Sequence, residues 1–209
     1  METNELLRKI AAVKAPGPLP LFTPFDVMKA IELIGSRGPI GRPKLSKLLG
    51  LGEGSTKELL RRIKKAGIVG TSPRGCTLTS KGRAFWQELV AKIGRAMRIQ
   101  AGPLTVGQID VAILVKNAGH KVTTGIQQRD AAIKIGGDGA TTIVYRNGRL
   151  IAPQISGDVV RDYPDVADRL RSAFPIEENS VIIIGTASSE EKAERAARAA
   201  VDTLMGEQL

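Results

Sequence analysis

The chain has 209 residues, is 42% hydrophobic and 3% aromatic, and carries a net charge of +10. That length suffices for one large or two modest globular domains whose cores rest on Leu, Ile, Val and Ala. No aliphatic run approaches a membrane span, Val181 to Ile184 being typical. The start, Met1 to Lys9, is polar and charged, without the apolar stretch of a signal peptide. No membrane partner is expected, and a cytoplasmic location follows. Cys76 is the single cysteine and His120 the single histidine. An intramolecular disulfide and a cysteine-based zinc site are thereby excluded, most zinc enzymes and nearly all His-based triads are removed, and no metal site or cofactor is expected.

The charge is unevenly spread. Residues 1–101 hold 19 Lys/Arg against 7 Asp/Glu, and residues 102–209 hold 12 against 14. A basic half joined to a near-neutral one points to a polyanion partner for the first half only. An inert basic surface is the alternative.

Residues 1–22 read as a short helix or arm, with Leu6, Leu7 and Ile10 apolar, followed by a stiff linker at Ala15 to Pro20. Thr23-Pro24-Phe25-Asp26 opens a helix, with Thr23 as N-cap, Pro24 at the first position and Asp26 at the third. Val27, Ile31 and Ile34 share its inner face, and Gly35 to Gly38 is expected to stop it. A second helix is predicted from Pro43 to Leu49. Ser55-Thr56-Lys57-Glu58 predicts a third, with Ser55 as N-cap and Glu58 completing a capping box. Leu59, Leu60 and Ile63 would face inward, and Lys57, Arg61 and Lys64 outward. Glu58 also stands four residues before Arg62, an ion-pair spacing. Two short strands, Ile68 to Thr71 and Cys76 to Leu78, flank Ser72-Pro73-Arg74-Gly75, which suits a type I turn. A long helix is expected from Ser80 to Arg98, with Phe85, Leu89, Ile93 and Met97 along one face.

The stretch Leu59-Leu60-Arg61-Arg62-Ile63-Lys64-Lys65-Ala66-Gly67-Ile68-Val69, followed by Arg74-Gly75-Cys76-Thr77-Leu78-Thr79-Ser80-Lys81-Gly82, resembles the winged-helix family of bacterial and archaeal regulators. The resemblance covers about residues 23–98. It implies a domain over 23–101 whose third helix enters the major groove of duplex DNA. Ser55, Thr56 and Lys57 would then meet base edges. Arg61, Lys64 and Lys65 would reach phosphates, Arg42, Lys44 and Lys47 would flank the backbone, and Arg74 would touch phosphate or the minor groove. Use of the fold for protein contact is the alternative. Cys76 reads as a small core or wing residue, with redox chemistry as the alternative.

Gly102-Pro103 is expected to separate the halves, leaving a second domain over 102–209. Its predicted order is strand (Val106 to Val115), helix (Thr124 to Ile135), strand (Thr141 to Tyr145), an Asn147-Gly148 hairpin turn, return strand (Leu150 to Ala152), helix after Tyr163-Pro164, strand (Val181 to Ile184) and a last helix capped at Ser188-Ser189. The whole is α+β. For the second domain the βαββαβα order predicts a ferredoxin-like sandwich, with a profilin-like or similar sensor fold as the alternative. Asn117, His120, Gln127, Arg129, Asp130, Thr141 and Thr142 are candidates for a small-ligand pocket. Gly137-Asp138-Gly139 lacks the strand-before-helix context of a nucleotide loop, and no catalytic group is identified. The segment Gly125 to Lys134 followed by Gly139-Ala140-Thr141-Thr142 is similar to an uncharacterised C-terminal domain found behind winged helices in archaeal proteins.

The sequence thus predicts a DNA-binding transcriptional regulator, a homodimer, with a second domain for effector sensing or dimerisation. An enzyme tethered to a winged helix, as in certain archaeal riboflavin kinases, and an architectural DNA-binding protein are the alternatives.

Overall fold

The computed structural model describes residues 3–12 and 22–205. The expected linker at Ala15 to Pro20 lies outside the described residues. The chain divides into two compact units, Met1–Leu89 and Val90–Leu209. The division falls earlier than the Ala101 boundary expected from the sequence. The first unit accordingly holds 16 Lys/Arg against 7 Asp/Glu, and the second 15 against 14. Lys92, Arg95 and Arg98 belong to the second unit, and the positive excess remains in the first.

The first unit begins with α1 (Thr3–Ala11), which buries Leu6, Leu7, Ile10 and Ala11 against α2 (Pro24–Arg37) and α4 (Glu53–Lys65). The start of α2 follows its sequence. The Thr23 hydroxyl accepts from the Asp26 N–H at 3.3 Å, and an Asp26 carboxylate oxygen accepts from the Thr23 N–H at 2.7 Å, closing a capping box. The helix runs through Gly35 to Arg37 and ends at Gly38, a little beyond the expected stop. Next, α3 (Arg42–Leu49) buries Leu45 and Leu49.

The start of α4 departs from expectation. Gly52 is its N-cap, and Ser55 and Thr56 lie inside the first turn. The Thr56 hydroxyl donates back to the Gly52 carbonyl at 3.1 Å, and Glu58 turns to arginines instead of to the helix start. The expected capping box at Ser55 is therefore not formed. Three residues, Glu53 to Ser55, thus join the helix ahead of its expected start, and its N-cap, Gly52, offers no side-chain cap.

The hairpin consists of β1 (Val69–Ser72) and β2 (Gly75–Leu78), with Pro73 and Arg74 at its tip. Ile40 joins it as a single bridging residue, exchanging backbone hydrogen bonds with Cys76 at 3.1 and 2.9 Å. After it comes α5 (Ser80–Lys92), whose N-cap is Thr79: its hydroxyl accepts from the Gly82 N–H at 2.9 Å and donates to the Gly67 carbonyl at 2.7 Å. A methyl group at Gly82 would overlap the Ile68 carbonyl oxygen, so α5 can cross the hairpin base this closely only with glycine there. The expected helix to Arg98 stops at Lys92. The Gly94 N–H donates to the Leu114 carbonyl at 2.7 Å, and Met97, expected inward, stands 41% exposed on an edge strand.

That strand, β3 (Met97–Ile99), opens the second unit's sheet. With β4 (Ile109–Val115), β5 (Gly139–Arg146), β6 (Arg149–Ile151) and β7 (Val181–Ala187) it forms five strands in the order β3-β4-β7-β5-β6, antiparallel throughout. The ferredoxin-like expectation is thereby overturned. That fold pairs its first and third strands in parallel at the sheet centre, whereas here the last strand, β7, separates β4 from β5 and the hairpin strand β6 lies at the edge. Order along the chain cannot distinguish the two. Asn147 and Gly148 have φ of 52° and 75°, as a type I′ turn requires.

Every residue of β7 is buried, because helices cover both of its faces. On one side α7 (Val159–Asp162) and α8 (Pro164–Ala173) bring Val159, Val166 and Leu170 against Ile182 and Ile184. On the other lie α6 (Ile126–Lys134) and α9 (Glu190–Met205). A methyl group at Gly185 would overlap Ala193 and Ala197, so the alanine stripe of α9 sets the helix-to-sheet distance. Buried Gln128 ties α6 to α9, donating to the Thr203 hydroxyl at 2.6 Å. Among the described residues no helix is long and apolar enough to cross a membrane.

Gly82→Ala is expected to lower the unfolding free energy by about 2–3 kcal/mol, because the added methyl overpacks fixed backbone. Gly54→Ala, in the first turn of α4 with open space around it, is expected to raise it by roughly 0.4–1 kcal/mol. Urea unfolding of both variants measures this, and equal effects would contradict the assigned contact.

Candidate functional site

In the first unit, α3, α4 and the hairpin tip expose Arg42, Lys44, Lys47, Lys57, Arg61, Lys64, Lys65 and Arg74. Of the sequence-predicted contact residues, Ser55 is half-buried. Thr56 is fully buried, its hydroxyl spent on Gly52, so it cannot reach a base edge and is withdrawn. The exposed cations differ in availability. Arg42 lies 3.8 Å from Glu53. Arg61 makes a two-pronged pair with Glu58, each bond 2.7 Å. No ion pair is formed by Lys44, Lys47, Lys57, Lys64, Lys65 or Arg74 among the described residues.

Arg62 is structural. Its Nε donates to Glu58 at 2.8 Å, its Nη1 donates to the carbonyls of Ile10 and Ala12, and its guanidinium lies 5.3 Å from the Phe22 ring centroid. It fastens α1 and the segment at Phe22 to α4. The bonds from Arg61, and then from Arg62, hold the Glu58 carboxyl well below its ordinary range, at about 2. The i,i+4 spacing marked the Arg62 contact in advance. The role of Arg61 as a second partner had no sequence signal beyond its i,i+3 position.

Cys76 is buried, and burial pushes its thiol up from its ordinary value, with nearby Lys64 opposing in part. A protonated, enclosed thiol is a core residue and a poor nucleophile. A cavity of about 360 Å³ lies beside α1 and the end of α4, floored by Leu6 and Ile10 and rimmed by Lys9, Lys65 and Lys81.

In the second unit the structure brings together only part of the predicted ligand set. Arg129, Thr141 and Thr142 line a cavity of about 200 Å³ together with Thr124, Gly125 and Gln154. Asp130 is outside the lining and accepts from Arg129 at 3.2 and 3.3 Å. Asn117 and His120 are exposed near a 3-10 turn at Gly119–Lys121 and do not line the cavity, nor does exposed Gln127. The Thr141 hydroxyl is spent on the Leu104 carbonyl. The Thr142 hydroxyl is buried and has no hydrogen-bond partner among the described residues. Gln154, with φ of 65°, arrives from the turn after β6 and carries no sequence signal of its own. Among the described residues no group of His, Cys, Asp or Glu is arranged to hold a metal ion.

Residues 106–204, most of the second unit, match the model of a domain of unknown function, DUF4443. The fold is similar to that of the hypothetical protein PH0730 from Pyrococcus horikoshii OT3, with a TM-score of 0.66 and 28% identity over 86% of this chain and 91% of that one. Both likenesses fit a protein of archaeal type. No curated protein matches the chain.

Glu58→Gln removes a carboxylate whose folded-state pKa lies below its unfolded value. The stability it contributes is present above the ordinary value of 4.5 and is lost as pH falls through that value toward about 2. Wild-type melting temperature should therefore fall through this window more steeply than that of Glu58→Gln. Parallel acid limbs in the two proteins would rule out the assigned pairing.

Proposed function

We propose that the first unit is a winged-helix DNA-binding domain, and that the chain is a transcriptional regulator whose second unit senses a small ligand or carries a homodimer contact. Helix α4 is the proposed recognition helix. The element order supports this: α2, the bridging residue Ile40, α3, α4, the β1–β2 hairpin, then α5. One observation carries the reading. Lys57, Lys64 and Lys65 on α4, Lys44 and Lys47 on α3, and Arg74 at the hairpin tip are all exposed and free of ion pairs among the described residues, in a unit with 16 cations against 7 anions. Such cations would exchange condensed counterions for phosphate contacts. Lys57 and half-buried Ser55 near the helix start would lie nearest the base edges. As a dimer, two such helices would meet half-sites about one helical turn apart, roughly 34–36 Å. A cytoplasmic location goes with this reading.

Glu58 makes the proposal specific. It competes with phosphate for Arg61, so Arg61 contributes less than its exposure suggests. Anisotropy titration of a labelled mixed-sequence duplex should show affinity falling steeply with salt. Lys57→Ala and Lys64→Ala should each weaken binding several-fold and reduce the salt slope by about 1. Arg61→Ala should weaken it less than either. Glu58→Gln should tighten it by releasing Arg61. Salt-independent binding, or affinity unmoved by the lysine variants, would remove the groove assignment.

A further inference from the structure

The outer edge of β5 is only half paired. Strand β6 pairs with Val144 to Arg146 alone. Ala140 to Thr142 instead line, with Pro153, Gln154 and Ile155 of the turn that follows β6, the cavity of about 200 Å³.

Three features of its wall have the same chemical sense. The first is the start of α6, a helix of nine residues. Its N-cap, Gly125, is left-handed with φ of 80°, and no side chain caps the helix. The Ile126 N–H is 3.4 Å from the Thr124 hydroxyl, and Arg129 N–H is the first to donate back along the helix, to Gly125. Among the described residues the N–H groups of Gln127 and Gln128 thus have no capping side chain, at the positive end of the helix dipole. The second is Thr142. It is 4% exposed, and its hydroxyl has no hydrogen-bond partner among the described residues. That hydroxyl faces the helix start, 3.4 Å from where a Cβ on Gly125 would stand. A buried donor left unsatisfied is unfavourable unless something supplies an acceptor. The third is charge: Arg129 lines the cavity, and no Asp or Glu does. Asp130 holds the Arg129 guanidinium from outside.

We propose that this cavity binds a small metabolite through an oxyanion, a phosphate or carboxylate group. The group sits at the start of α6, accepts from the Thr142 hydroxyl and the first-turn N–H groups, and pairs with Arg129 in place of Asp130. The exposed side chains of Ile126 and Ile155, 39% and 49% accessible, flank the mouth and cover the carbon part of the ligand. The cavity is below the roughly 300 Å³ of sites for drug-sized ligands. The ligand is therefore small, or only its head group enters. This deepens the sensing part of the function proposed above and rests on it only for the consequence for DNA.

The test uses the isotope-labelled full chain, titrated by NMR with inorganic phosphate and, separately, with pyruvate. Saturable shifts of the Gly125 to Arg129 and Thr142 amides are expected with at least one. A response to phosphate alone assigns a phosphoryl group, and to pyruvate alone a carboxylate. Arg129→Gln and Thr142→Val should each weaken that response about tenfold. Thr142→Val should melt no lower than wild type, since it removes an unpartnered hydroxyl at constant shape. Absence of saturable shifts with both anions, or responses of both variants unchanged from wild type, would overturn the proposal. DNA affinity with and without the anion separates the two readings. Saturable binding that leaves DNA affinity unchanged upholds the site and removes the sensing role. A different metabolite that alters DNA affinity without shifting these amides upholds sensing and overturns the oxyanion assignment.

Discussion

The first unit depends on how closely backbone approaches backbone at the base of its hairpin. Ile40 and Cys76 exchange two hydrogen bonds, which fixes β2 to the link between α2 and α3. On the other side, Gly82 lets the first turn of α5 lie on the Ile68 carbonyl, and Thr79 caps that turn while holding Gly67 and Ile68. The hairpin is thus gripped from both ends of the unit's chain path. These contacts, together with the Ile68 N–H bond to the Ile63 carbonyl of α4, hold the tip residue Arg74 in relation to the lysines of α4. A two-stranded hairpin alone would be marginal in water.

The same unit illustrates that a basic helix is not uniformly basic in effect. Glu58 sits between Arg61 and Arg62 and assigns them different duties. Arg62 is drawn inward to the carbonyls of Ile10 and Ala12 and to the Phe22 ring, so its charge supports packing. Arg61 stays outside, paired on the surface, where the bond is weak enough to be exchanged. Counting charges would treat both arginines alike. The lysines of α4, by contrast, are exposed and form no ion pair among the described residues.

Legibility in the sequence followed the range of the interaction that decides each feature. The Thr23–Asp26 capping box and the Asn147-Gly148 turn are set within a few residues, and both could be read directly. Thr79 and Gly82 belong to a segment with family resemblance, and the structure supplies their physical reason: a cap and a close crossing. The start of α4 differs from its sequence pattern because Ser55 and Glu58 satisfy a local rule, while Glu58 is claimed by two arginines further along the helix. The helical spacing through Met97 failed because Gly94 and the pairing with β4 end the helix, and that pairing is a long-range fact. Strand order was beyond reach for the same reason. The elements of the second unit were mostly anticipated, but nothing local says that β7 inserts between β4 and β5.

That insertion also explains why the candidate pocket was only half visible. Because β7 takes the inner edge of β5, the hairpin strand β6 is left outside, and it is too short to cover more than the last residues of its neighbour. The uncovered part of β5 carries Thr141 and Thr142, which point to opposite faces of the sheet. Thr141 finds the Leu104 carbonyl on its side. Thr142 meets the glycine that starts α6 and finds nothing. A valine there would fill the same space without an unsatisfied hydroxyl, so packing alone gives no reason for the threonine. The polar character noted around Arg129 in the sequence thus has its structural counterpart in one buried donor, one cation and one uncapped helix start, brought together by a strand order that the sequence does not display.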